Sequence, residues 1–334
     1  AGFAGSFAKT VEAMSDPRLT PANGRVAAAY LKGHVAADAF VEGVGKSVAV
    51  PVVDLCPAPD AMRDRQLLLG AEVKVFEERD GWAFVQAVDG YVGYVPLSAL
   101  GGLVVPTHIV ATPATHDYAQ ETMKSADLMY LSFGSRVRVV DERQKFFETT
   151  KGFIPKKHLR PLTQPFTDPA TIAQMHFGVP YLWGGNSISG IDCSGLVAAS
   201  LTACAIISPA DSDLQRDGLG VGLPDDAPLQ RGDLMFWTGH VGMMVDAETM
   251  IHANAHHMST AYELVANATL RIKAQGDGDV MPVEGQELPC GHCMQLDCPV
   301  LFWYVPALQR IHFDWMLQNI PQYQALVMLH LFEL

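Results

Sequence analysis

A thiol and an imidazole able to act on one carbonyl group are carried by Asp192-Cys193-Ser194-Gly195 and, further along the chain, by Gly239-His240-Val241-Gly242. A thiol nucleophile needs a base that takes its proton and later returns it to the leaving group. Cys193 follows a turn-rich approach (Gly184 to Ser187, then Ser189-Gly190) and opens the run Leu196-Val197-Ala198-Ala199-Ser200-Leu201, made mostly of good helix formers. This predicts Cys193 in the first turn of a helix. There, unpaired backbone N–H groups and the positive end of the helix dipole favour a thiolate and can cradle an oxyanion. Asp192 and Ser194 flank the sulfur. A cysteine without context is most often a small buried hydrophobe, but a glycine-rich turn and an aspartate make a poor core environment.

The base segment reads as strands. Arg231-Gly232-Asp233 lead into Leu234-Met235-Phe236-Trp237, then His240 to Asp246, then Met250-Ile251-His252-Ala253-Asn254-Ala255. These short apolar runs, bounded by Gly, Thr and Asp, predict adjacent antiparallel strands. His240 begins one strand and His252 lies in the next. The two are expected as cross-strand neighbours, with His252 bonding one nitrogen of His240 and turning the other toward Cys193. That is a triad by role. His256 and His257 continue into an exposed loop and receive no role.

The elements that must position these groups are preceded by a different kind of chain. Residues 1–45 read as a short helical and extended lead-in. From Val48 the sequence becomes strand-dense: Gly70 to Glu77, Gly81 to Ala87 and Asp89 to Val95 alternate and are joined by Asp-Gly turns. Matching pieces recur after Pro106, at Gly134 to Asp141, Lys145 to Thr149 and Gly152 to Pro155, closing at Leu159. Two consecutive copies of one small all-β pattern predict a repeated barrel module.

The motifs of residues 163–282 resemble the NlpC/p60 family of bacterial cell-wall cysteine peptidases. The Tyr181-x-Trp183-Gly-Gly approach, the Asp-Cys-Ser-Gly turn, the Arg-Gly-Asp-Leu strand entry, Gly-His-Val-Gly and Ile-His-Ala occur in that family's order. The resemblance implies an α+β papain-like catalytic domain with Cys193 as nucleophile, His240 as base, His252 as orienting residue and Tyr181 assisting the oxyanion hole. Asp192, Ser194 and Trp183 fall to substrate binding. Residues 46–101 and 106–162 resemble bacterial SH3-like domains, so two small all-β barrels would precede the catalytic domain, as in the γ-D-glutamyl-L-diamino acid endopeptidases. In that subfamily the first SH3-like domain closes over the active site and helps bind the substrate's free amino terminus. Tyr91 is most similar to its contacting tyrosine, with Trp82 and Tyr94 nearby. An acidic partner for the amine is expected, with Asp64 the candidate. The implied activity is hydrolysis of the bond between γ-D-Glu and meso-diaminopimelate or lysine in stem peptides with a free N-terminal L-Ala, in murein recycling. The alternative is cell-wall binding, or hydrolysis or acyl transfer on intact peptidoglycan.

Composition bounds these readings. The 334 residues, 49% hydrophobic, allow two or three packed domains. A net charge of −13 argues against nucleic acid and anionic membrane surfaces as partners, and favours a soluble peptide over an anionic polymer. No cofactor and no catalytic metal are needed. Residues 1–13 show no secretory signal, which a mature chain would also lack. The expected location is therefore cytoplasmic, or periplasmic or secreted if a signal was removed. Cys56 and Cys204 read as buried thiols. The tail, residues 283–334, has no counterpart in the family. It carries Cys290-Gly291-His292-Cys293 and Cys298, half of a zinc site at most, and then a bulky apolar stretch expected to be helical.

Overall fold

The alternating segments upstream of the thiol become two consecutive β units in the computed structural model, which describes residues 16–224, 227–281 and a strand at Cys293–Gln295. In the first unit the hairpin of Glu72–Arg79 and Trp82–Ala87 turns through Asp80 and Gly81. Both have positive φ (50° and 82°), the conformation that a two-residue primed turn requires. Val73, Val75, Ala83 and Val85 point inward from this hairpin and pack with Val48, Leu55 and Val95.

The second unit repeats the first element by element. Val44–Val48 lies between Glu72–Arg79 and Leu100–Gly102 in the first, and His108–Val110 lies between Arg136–Val137 and Leu159–Pro161 in the second. Each unit closes with one turn of 3₁₀ helix, Leu97–Ala99 or Lys156–His158, entered from a proline. The long strand of the first unit is broken in two in the second, at Arg136–Val137 and Val139–Glu142. The strands of the two units run from Val44 to Gly102 and from His108 to Pro161. The lead-in contributes a parallel pair, Val26–Ala28 with Ala39–Val41. It docks on the first unit, where Arg25 and Asn23 hold Glu77 and the Arg18 carbonyl accepts from the Val92 amide.

Among the described residues, four helices and a sheet follow. Helix α1 (Pro169–Met175) starts at Asp168, whose side chain accepts from the amides of Ala170 and Thr171. Helix α2 (Cys193–Ala203) is buried on nearly every side, as expected for a helix that is apolar all round. Helix α3 spans Ser212–Gly218. The strands β1 (Leu234–Trp237), β2 (His240–Met244), β3 (Thr249–Asn254) and β4 (Ser259–Leu264) pair antiparallel in chain order. Helix α4 (Val265–Gln275) ends at Gly276 in the left-handed conformation. Cys293–Gln295 pairs with the outer side of β1. The rest of the tail, with Cys290 and His292 before this strand and Cys298 after it, lies outside the described residues. Among these residues no helix is long and apolar enough to cross a membrane.

Candidate active site

Asp192 fixes the start of α2. One of its carboxylate oxygens accepts from the Gly195 amide (2.7 Å) and the Ser194 hydroxyl (3.1 Å), and the other accepts from the Gly184 amide (2.7 Å). One side chain thus caps the helix and ties down the preceding turn. Gly184 has φ +70°, and a Cβ there would come within 2.6 Å of the Asp64 carbonyl, so the chain passes this point only with glycine. Gln215 of α3, fully buried, braces the turn from behind by donating to the carbonyls of Ser194 (2.9 Å) and Pro209 (3.0 Å).

The Cys193 sulfur lies 4.0 Å from the Gly239 carbonyl, against the strand end that carries His240. It is 7% exposed. The pull of the helix dipole toward a thiolate is opposed here. Burial and then the Asp192 charge push the thiol up to about 12, against the pull of the amides of Val241, Ser194 and Cys193. Burial likewise pushes His240 down to about 3. The resting pair is a thiol beside a neutral imidazole, and that imidazole has a free lone pair for the thiol's proton. Tyr181 is kept protonated, its phenol pushed up to about 12 chiefly by burial. It can therefore donate to an oxyanion.

His240 and His252 meet as expected, with Nε2 of the first 2.8 Å from Nδ1 of the second. They do so diagonally, because the register Met243↔Ile251 sets His252 across from Gly242. A Cβ at Gly242 would come within 2.8 Å of the Met250 sulfur and 3.5 Å of the His252 Cβ, so glycine keeps this crossing open. His252 is fully buried. Its Nε2 lies 3.1 Å from Glu263 on β4, and Arg271 of α4 donates to both oxygens of Glu263 (3.0 and 2.7 Å). Burial opposes the Glu263 charge, but the bonds from His252 and Arg271 prevail and hold the carboxyl well below its usual range. An ionised carboxylate only accepts. His252 therefore donates from Nε2 and accepts at Nδ1, His240 donates from Nε2, and His240 Nδ1 keeps a free lone pair. Glu263 and Arg271 escaped the sequence reading because a Glu on a strand and an Arg on the next helix carry no motif.

A cleft opens beside the turn, lined by Asp64 and Arg65 of the first β unit and by Gly184, Asp192, Ser194 and Asp211. The first unit reaches it through Arg63, which donates to the Trp183 carbonyl (3.1 Å), and Gln66, which accepts from the Asn186 amide (3.2 Å). Asp64, the expected acid, is present. Burial and the neighbouring Asp211 charge raise it, and burial raises Asp192. Tyr91 is the residue most similar to the family's substrate-contacting tyrosine. Its ring is 3% exposed in the first unit's core, and its hydroxyl donates to Asp211 (3.2 Å). Asp211 N-caps α3 without bonding its amides and instead accepts from Tyr91 and from Arg18 (2.7 Å). Sequence reasoning missed it because an aspartate before a short helix reads as a cap. Trp183 is 55% exposed at the rim. Tyr94 packs on Phe84 and accepts from Asn23, away from the cleft. His256 and His257 are exposed, and Cys56 and Cys204 are buried.

Comparison with known proteins agrees with this layout. Residues 178–271 match the NlpC/P60 family model, and residues 55–100 match a model described as the bacterial dipeptidyl-peptidase Sh3 domain. The gamma-D-glutamyl-L-lysine dipeptidyl-peptidase of Bacillus cereus (strain ATCC 10987 / NRS 248) is 26% identical over 226 residues, covering 57% of this chain and 67% of that protein. The protein of the same name from Bacillus subtilis (strain 168) is 26% identical over 223 residues, covering 58% and 73%. A solved NlpC/P60 family protein from Bacillus cereus ATCC 10987 superposes with a TM-score of 0.58 at 22% identity, over 66% of this chain and 94% of that one. That likeness bears on the fold.

Proposed function

We propose that this chain, which carries an NlpC/P60 domain behind a bacterial dipeptidyl-peptidase type Sh3 domain, is a cysteine peptidase that cuts after γ-D-Glu in stem peptides with a free N-terminal L-Ala. The next residue is lysine or diaminopimelate. The observation that carries the reading is the cleft, where three carboxylates, Asp64, Asp192 and Asp211, surround the space a few residues from the thiol. Half-buried carboxylates crowded together favour a cation beside them, and an α-ammonium supplies that charge.

In the reaction the Cys193 proton moves to His240 Nδ1 as sulfur bonds to the scissile carbonyl carbon. Tyr181 and the amides at the start of α2 receive the oxyanion. The C–N bond breaks, the imidazolium protonates the leaving amine, and water, losing a proton to His240, resolves the thioester. The alignment with two proteins named gamma-D-glutamyl-L-lysine dipeptidyl-peptidases supports the bond chosen. A need for a free amine would exclude peptides still joined to glycan, which suits recycling in the cytoplasm.

The test offers L-Ala-γ-D-Glu-Lys, its diaminopimelate counterpart and the N-acetylated form of each. Release of L-Ala-γ-D-Glu from the free peptides alone is the expected result. Equal cleavage of the acetylated forms would point instead to a hydrolase of intact peptidoglycan.

A further inference from the structure

We propose that His252, Glu263 and His257 form a site for a divalent transition metal, with zinc as the probe, and that filling it switches off the base at His240. The inhibitory half rests on the peptidase reading above; the binding half does not.

A ring nitrogen of each histidine and a carboxylate oxygen of Glu263 all lie within 4.8 Å of one another. His252 Nε2 and the Glu263 oxygen are 3.1 Å apart, close to the ~3.3 Å between two ligands on a tetrahedral zinc with bonds of about 2.0 Å. His257 stands on the exposed turn between β3 and β4. The Asn254 side-chain oxygen accepts from both the His257 amide (2.8 Å) and its ring Nδ1 (3.0 Å). That leaves Nε2 with a lone pair, the orientation that an outer hydrogen bond gives a ligating histidine. Arg271, bonded to both oxygens of Glu263, opposes a cation, so the site binds weakly and reversibly.

Coordination at His252 Nε2 expels the ring's single N–H proton, and Nδ1 takes over the hydrogen it shares with His240 Nε2. His252 then donates to His240 Nε2, and His240 must carry its hydrogen on Nδ1. One proton leaves at His252 and one is taken up at His240, so the pair keeps its proton count while reversing its sense. His240 can then neither accept the Cys193 proton nor, as a neutral ring, supply one to an amine.

The experiment titrates the full chain with chelator-buffered zinc, following peptide hydrolysis and, by calorimetry, binding. Calorimetry is run with Cys290, Cys293 and Cys298 replaced by Ser so that their thiols do not compete. The wild type should lose activity and regain it with a chelator. His257→Ala should keep its basal rate, need at least about 10-fold more zinc for half-inhibition and lose the calorimetric event, while His256→Ala should behave as wild type. Inhibition of His257→Ala at the wild-type concentration, or no His257-dependent binding, would overturn the proposal. Should no peptide be cleaved, a His257-dependent heat would uphold the site while the peptidase reading fell.

Discussion

Tyr91 and Asp211, 120 positions apart, share a hydrogen bond of 3.2 Å that joins the core of the first β unit to the start of α3. A phenol anchored in one unit thereby aims a carboxylate belonging to another. The same Asp211 oxygen takes a bond from Arg18 in the lead-in, so three separate stretches of chain set the position of one acidic group at the cleft.

Asp211→Asn should lower kcat/KM for L-Ala-γ-D-Glu-Lys by about 10- to 100-fold, the range expected for losing a charge-assisted hydrogen bond to an ammonium. Tyr91→Phe should cost less, because the carboxylate remains. Neither change should alter the slow rate on the N-acetylated peptide. A parallel fall on both substrates would mean that Asp211 supports the fold and does not read the amine.

Cys193→Ala should abolish turnover while the melting temperature stays within a few degrees of wild type, since the change removes one sulfur atom from a packed site. His240→Ala should be nearly as damaging. Product counts by mass spectrometry against a no-enzyme control decide the matter. Substantial turnover by Cys193→Ala would remove it from the chemistry.

Glu263→Gln should reduce kcat at least about 100-fold with little change in KM, because an amide can donate to His252 and so permits the wrong tautomer in both rings. Glu263→Asp should recover part of the loss. Proton-detected NMR of the two histidines would show whether the hydrogen on His252 has moved from Nε2 to Nδ1. An unchanged tautomer beside a lost rate would refute the relay.

Asp117, in the second β unit, is fully buried, and no side chain among the described residues bonds either of its oxygens. Burial pushes it up to about 6, with Lys151 working the other way. The folded chain therefore holds this proton more tightly than the unfolded chain, and stability falls as pH rises from about 4 to about 6, by up to about 3 kcal/mol. Asp117→Asn should be more stable than wild type at pH 8 and indistinguishable at pH 4. Denaturant melts at the two values measure this, and a gap that does not change with pH would rule out the account.

The chemistry was legible in the sequence wherever it depended on neighbours along the chain. Asp192, Cys193 and Ser194 are adjacent, and the alternation around His240 and His252 identified their strands. The turn residues Asp80 and Gly81 likewise announced their hairpin. What remained hidden were contacts between segments far apart in sequence: Gln215 behind the thiol, Arg271 behind Glu263 and Asp211 beneath Tyr91. The helix dipole at Cys193 can be inferred from sequence, whereas the burial that opposes it becomes visible only once the segments pack.

Arg271 has only donors to offer, and it lies at the outer end of the line that runs through Glu263 and His252 to His240. A row of hydrogen bonds whose middle members can face either way takes its direction from whichever end cannot turn round. The guanidinium is that end, so the polarity of the base inside the protein is dictated from α4, a helix that touches neither sulfur nor cleft. A change on this outer helix could therefore reverse the inner groups without moving any of them.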